Sequence, residues 1–180
     1  MKNIYIVVTQ TGTILSRLLK FIKKREYNHV SIGLDRQLKQ MYSFGRINPY
    51  IAFLGGFVRE SPYHGTFKRF PQTKAIVYEM AVPDSEYRKI KRYLRYMYKH
   101  RKHYQYNYLG LFLASVDICY QPERHFYCSE FVRDILVKFH IFKKDQFLSI
   151  TEPAYFIHIM KNYKCIYKGL LSEYAASISK

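Results

Sequence analysis

Apolar and polar positions change period several times along this chain, and each change marks an element. Asn3 to Gln10 (NIYIVVTQ) is β-branched and almost continuously apolar, which predicts a buried strand. A TGT turn follows. Ile14, Leu15, Leu18, Leu19 and Ile22 then recur at helical spacing, with Lys23, Lys24 and Arg25 at the end where cations suit the helix dipole. HVSIGLD alternates, with Val30, Ile32 and Leu34 on one side and His29, Ser31 and Gly33 on the other, the signature of a half-buried strand. KQMYSFG is its expected hairpin partner. The turn formers of NPYIAFLGGFVRESPYHG predict a long loop holding one short strand, GFVRE, before the strand KAIVYEMAV.

Period 3.6 returns at Pro83 and Asp84, with Asp84 expected as N-cap and Glu86 in the first turn. Tyr87, Ile90, Leu94, Met97 and Tyr98 form the apolar stripe of this helix, and Arg88, Lys89, Lys91, Arg92, Arg95 and Lys99 its other face. YLGLFLASVDI reads as a short apolar helix. A helix starting at Cys128 runs to about His140, its stripe formed by Cys128, Val132, Ile135 and Phe139. TEPAYFIHIMKN predicts a further helix with proline in its first turn, and YKCIYKGLL a closing strand. Without repeat, low-complexity tract or linker, residues 1–180 are expected to form one α+β domain.

Charge narrows the partners. Thirty Lys and Arg against 13 acids give a net +17, which attracts anions: nucleic acid, anionic lipid or an acidic substrate. Cations and rings interleave in YRKIKRYLRYMYKHRKHYQYNY. A solvated helix face is the first expectation there, because Tyr87, Leu94 and Tyr98 fall on the core stripe. An anionic membrane surface is the functional partner to weigh against it. Nucleic acid is the weaker fit, since no nucleic-acid fold signature accompanies the charge. Three cysteines lack paired spacing, so no disulfide framework is expected. HRKH lacks metal-ligand partners and FLGGF lacks the Lys-Ser/Thr ending of a phosphate loop, so no metal or cofactor is expected. The N-terminal run has no signal-peptide layout and no stretch nears the ~18–20 apolar residues of a membrane span. The expected location is the cytoplasm.

The thiol in FYCSEFV has two readings. A buried cysteine is often only a small apolar residue. In the first turn of a helix, however, the positive helix end favours thiolate, and a nearby histidine would complete a nucleophile. Of seven histidines, His100 and His103 lie in a basic stretch, His140 and His158 sit at or on helices, His64 is in a loop, and His125 is only locally close to Cys128. His29 opens a strand on the face opposite Val30, Ile32 and Leu34. A helix packed on that face would bring the thiol to it.

HVSIGLD, then MYSFG, then YNYLGL, then FYCSEFV resembles the circularly permuted branch of the papain-like, NlpC-type superfamily, which includes YiiX-like and lecithin:retinol-acyltransferase-like proteins. In that branch the histidine strand precedes the cysteine helix, as His29 precedes Cys128 here, and the likeness spans most of residues 1–140. It implies a permuted papain-like α+β fold with an antiparallel sheet packed against helices. It also implies a cysteine hydrolase or acyltransferase that cleaves an amide or ester through a thioester, with Cys128 as nucleophile and His29 as general base. Ser43, in MYSFG, aligns with the third residue that orients the imidazole, where relatives carry His, Asn, Gln or an acid; Glu60 is its rival if the loop folds back. Glu130 matches the acid that follows the cysteine, with helix N-terminal stabilisation as its expected role. The Cys128 N–H would receive the oxyanion, with Gln10 as a candidate second donor. The superfamily acts on peptidoglycan, amides and lipids, so a lipid or cell-wall fragment is the substrate range implied. The opposing expectation is a non-catalytic member that binds an anionic partner through its basic face.

Overall fold

Lys2–Gln10 forms the central strand β1, whose Ile4, Ile6 and Val8 pack into one core cluster and Tyr5 and Val7 into another. Both faces of the sheet are therefore covered, which is why this strand reads as a continuous apolar run. The structure is a computed structural model and describes residues 1–10, 26–51 and 53–178. The helix expected over Ile14 to Lys24 lies outside these residues.

After β1 come β2 (His29–Gly33), β3 (Met41–Arg46), β4 (Gly55–Glu60), α1 (Gly65–Arg69), β5 (Lys74–Val82) and α2 (Asp84–Lys99). Then follow β6 (Gln105–Tyr106), α3 (Tyr108–Ala114), β7 (His125–Phe126), α4 (Cys128–Lys138), α5 (Tyr155–Ile159), β8 (Lys164–Leu170) and α6 (Leu171–Ile178). The eight strands form one sheet in the order β7-β6-β4-β3-β2-β1-β5-β8. Every pairing is antiparallel except the short parallel contact of β6 with β7 at the edge. The α+β class with an antiparallel sheet is thus the observed architecture. Among the described residues no helix is long and apolar enough to cross a membrane.

α2 and α4 cover one face of the sheet. Ile90, Leu94 and Met97 of α2 are buried, and the stripe's Tyr87 and Tyr98 are half-buried against the same core. Arg88, Lys89, Arg92, Arg95 and Lys99 are exposed, so the basic residues do occupy the outer face. Pro83, not Asp84, stands at the N-cap; Asp84 begins the helix, and its carboxylate accepts from the N-terminal amine at 2.9 Å. On α4, Cys128, Val132 and Ile135 are buried beside Val30, Ile32 and Phe44. The opposite face is covered by a smaller cluster that joins Tyr5, Val7, Leu38 and Met41 to Phe67 of α1 and Leu171 and Tyr174 of α6.

Two helices depart from the sequence reading. α1 begins at the last residue of the stretch read as a loop and runs into residues for which no element was expected, and only Phe67 of its five residues is buried. α6 follows β8 without a break, because Leu171 donates its N–H to Thr73 and turns the chain back over the sheet.

The contrast between the two faces of α2 is measurable. Leu94→Ala should cost about 2–5 kcal/mol by urea unfolding, as expected for a fully buried leucine, and Arg92→Ala should stay within about 0.5 kcal/mol. Equal costs would contradict the packing of this helix.

Candidate active site

Antiparallel register gathers the polar side chains of the site. Met41 of β3 pairs with Glu60 of β4, Ser43 with Val58, and Ile32 of β2 with Tyr42. Because side chains alternate along a strand, this register lays His29, Ser31, Ser43 and Glu60 on one face. His29 Nε2 lies 3.1 and 3.0 Å from the two oxygens of Glu60. The Ser31 hydroxyl donates to Glu60 Oε2 at 2.6 Å, and both Ser31 Oγ and Ser43 Oγ lie 3.3 Å from Nε2. The two serines are fully buried, and the side chains of His29 and Glu60 keep 12% and 10% exposure. Gly45 leaves the carboxylate its room, since a Cβ there would stand 2.9 Å from Glu60 Oε1.

Cys128 begins α4 and is buried. Its thiol lies near enough to His29 to raise the imidazole's pKa. Nε2 is occupied by Glu60. The helix packs on the apolar face of the sheet, not on the histidine's own face as expected from the sequence. The physical reason is its stripe: Val132 and Ile135 need Val30 and Ile32. The thiol meets the imidazole where β2 begins, at the helix's first turn.

Burial alone would lower the His29 pKa, but the Glu60 charge and the hydrogen bonds with Cys128 and Glu60 lift it well above its ordinary 6.5. For Glu60, burial raises the pKa, and the His29 charge with hydrogen bonds from His29, Ser31 and Ser43 overcomes it, leaving the carboxyl below its ordinary 4.5. The pair is therefore an imidazolium–carboxylate at neutral pH. A carboxylate on one ring nitrogen fixes the ring's orientation and leaves the other nitrogen able to exchange a proton with a neighbouring thiol.

Sequence reasoning placed Ser43 in the orienting role and Glu60 as its rival. The structure gives the two-oxygen contact to Glu60 and puts Ser43 in the same pocket, touching the imidazole and steadying the carboxylate. Glu60 was legible only as the end of GFVRE; its register with Met41 was not. His125 turns its Nδ1 to the Glu123 carbonyl at 2.8 Å.

Glu130 and Asn107 support the cysteine turn. Glu130 Oε2 accepts from the Tyr127 N–H at 3.1 Å and from Asn107 Nδ2 at 3.4 Å. Asn107 also caps α3 by accepting from the Gly110 N–H at 2.9 Å, and donates to the Tyr120 carbonyl at 2.8 Å. Gly110 is required there, because a Cβ would strike the Asn107 amide and the Tyr120 carbonyl. The YNYLGL segment is thus a brace tying α3 to the first turn of α4, a role that spacing did not reveal. Burial pushes the Glu130 pKa up to about 7 against these hydrogen bonds. No group of three or more His, Cys, Asp or Glu among the described residues could hold a metal.

No protein-family model, curated protein or solved structure matches this chain.

Two pH experiments follow from these environments. By NMR, His29 should titrate well above 6.5, and Glu60→Gln should bring its pKa down. The His29 contribution to stability is full below pH 6.5 and is lost as pH rises through its raised folded value, whereas that of Glu60 is full above 4.5 and is lost as pH falls through its lowered one. A His29 pKa at or below 6.5 that ignores Glu60→Gln would contradict the ion pair.

For Glu130 the folded pKa is raised, so its contribution is full below about 4.5 and is lost as pH rises through about 7. Glu130→Gln keeps an acceptor for the Tyr127 N–H and should flatten that part of the decline, read as urea midpoints at pH 5 and pH 8. A variant as pH-sensitive as the parent would show that Glu130 is not the titrating group.

Proposed function

We propose that this chain is a cysteine hydrolase or acyltransferase of the permuted papain-like, NlpC-type superfamily, acting on an amide or ester. The observation that supports this most is the His29–Glu60 pair, with both Glu60 oxygens within 3.1 Å of Nε2, beside a Cys128 thiol near enough to raise the imidazole's pKa. The order of the histidine strand before the cysteine helix agrees with the resemblance. The expectation of Ser43 as third residue becomes a shared role, with Glu60 orienting the ring and Ser43 holding Glu60.

In this reading the proton of the thiol–imidazole pair already rests on the His29 imidazolium, and the Cys128 thiolate adds to the substrate carbonyl. The oxyanion faces the Cys128 N–H, which at the first position of a helix has no intrahelical acceptor. The His29 imidazolium gives its proton to the leaving nitrogen or oxygen, that bond breaks, and a thioester remains. Water or another acceptor then gives a proton to the now neutral His29 and attacks the thioester, the carbon–sulfur bond breaks to release the acyl group, and the thiolate–imidazolium pair is restored. No step calls for a cofactor. A lipid or a cell-wall fragment remains the substrate range, and the cytoplasm the proposed location.

A second reading has its own observation. The exposed row Arg88, Arg92, Arg95 and Lys99 on α2 would suit a non-catalytic member bound to an anionic membrane surface, with nucleic acid the weaker partner.

One experiment separates the two. A panel of activated esters and amides is offered to the parent and to single variants, with acyl-protein sought by intact mass. Cys128→Ala should lose roughly a thousandfold or more of the turnover, Glu60→Gln roughly ten- to a hundredfold, and Ser43→Ala only several-fold. A parent with no Cys128-dependent turnover and no acyl-protein would sink the enzyme reading. Salt-sensitive binding to anionic liposomes, weakened by reversing Arg92 and Arg95, would then favour the second.

A further inference from the structure

A cavity of about 680 Å³ borders the site, and Glu60 and Tyr106 line it. Both touch the catalytic pair electrostatically, Glu60 through His29 and Tyr106 through Cys128. Its other charged walls are Arg46, Arg59, Arg101 and Lys102. Glu60 is the one carboxylate among the lining residues, and its oxygens are already taken by His29 and Ser31.

Arg46 stands out among the cations. Arg59 and Arg101 lie over the Tyr98 ring at 5.6 and 5.0 Å, and Arg101 donates to the Tyr98 carbonyl. Arg46 ends β3, three residues after Ser43, and its Nη2 is buried with no hydrogen-bond partner. No carboxylate pairs with it, and all 13 acids of the chain lie within the described residues. Its surroundings are the Phe70 ring at 5.9 Å, the phenols of Tyr106 and Tyr108, and the like charge of Arg69. Burial, and then Arg69, lower its pKa, which agrees with a cation lacking a counter-ion. A buried guanidinium nitrogen without an acceptor is costly, and the fork of donors on this half-buried side chain matches a carboxylate or a phosphate.

We propose that the substrate carries an oxyanion, a carboxylate or a phosphate, which enters this cavity and binds Arg46 as the specificity-determining residue. This rests on Cys128 being the nucleophile. Substrate would then lie across the site with its acyl carbonyl at Cys128 and its anionic end in the cavity, and the unpaired Nη2 would gain its acceptor.

The test uses p-nitrophenyl esters of a graded series of acyl chains, each ending in a carboxylate, a phosphate or a neutral methyl ester. In the parent, at least one chain length should favour an anionic end over its neutral twin by tenfold or more in kcat/KM. Arg46→Gln should abolish that ratio, Arg46→Lys should retain part of it, and Lys168→Gln, an exposed control on β8, should keep it whole. Which anion gains more distinguishes carboxylate from phosphate. No anionic preference in the parent, or an equal preference in Arg46→Gln, overturns the proposal. Should no ester show Cys128-dependent turnover, the hydrolase reading fails, and a second arm decides on the cavity: glutarate and inorganic phosphate are titrated against the Arg46 side-chain NMR signal and by calorimetry. Saturable binding lost in Arg46→Gln but kept in Lys168→Gln supports the anion site; identical binding in all three proteins overturns it.

Discussion

The ion pair between His29 and Glu60 is the constraint on which the rest of the site depends. Two charged groups with little solvent contact are tolerated only when they are paired and their remaining hydrogen-bonding capacity is used. Here Ser31 and Ser43 use it, and Gly45 makes the space. Removing either partner leaves the other charge buried alone, so neither is replaceable by a neutral group without loss. A buried pair of this kind is weak evidence for stability, and apolar residues would fill the same volume at no greater cost. Its presence is better explained by what it does to the imidazole: it fixes the ring and raises its proton affinity beside a thiol.

Geometry divides the labour between the two faces of the sheet. One face is apolar and receives α2 and α4; the other carries the polar site near the small cluster around Phe67. His29 and Phe67 have ring centroids 6.2 Å apart, so the imidazole is walled on its far side by an aromatic ring. Cys128 opens α4, whose stripe anchors the helix on the apolar face. The Asn107–Glu130 brace then fixes the turn from which the thiol projects.

Much of this was legible in the sequence, where local pattern carries the information. The alternation in HVSIGLD set the face of His29, the stripe from Cys128 to Ile135 set the burial of the thiol, and the stripe of α2 left its cations outside. What failed depends on non-local register. Met41 opposite Glu60 cannot be read from GFVRE, so the acid appeared only as a rival to Ser43. The side of the sheet taken by α4 is likewise a tertiary fact. α6 was missed because LLSEYAAS continues an apolar strand without a Gly or Pro break, and α1 is too short for periodicity to register. Asn107 was quoted as part of a motif, and its bracing role emerged only when its partners at positions 110, 120 and 130 came together.

The chain's three cysteines supply an internal comparison for the central claim. Cys119 and Cys165 are exposed, and Cys128 is only 5% exposed. Accessibility alone would make Cys128 the slowest to alkylate. Rates of iodoacetamide modification at each cysteine, followed by peptide mapping near neutral pH, therefore report chemistry against access. A nucleophile activated by His29 predicts that Cys128 reacts faster than the two exposed thiols and that Glu60→Gln slows it selectively. A Cys128 that is slowest of the three, and indifferent to Glu60→Gln, would make it a packing residue and contradict the account.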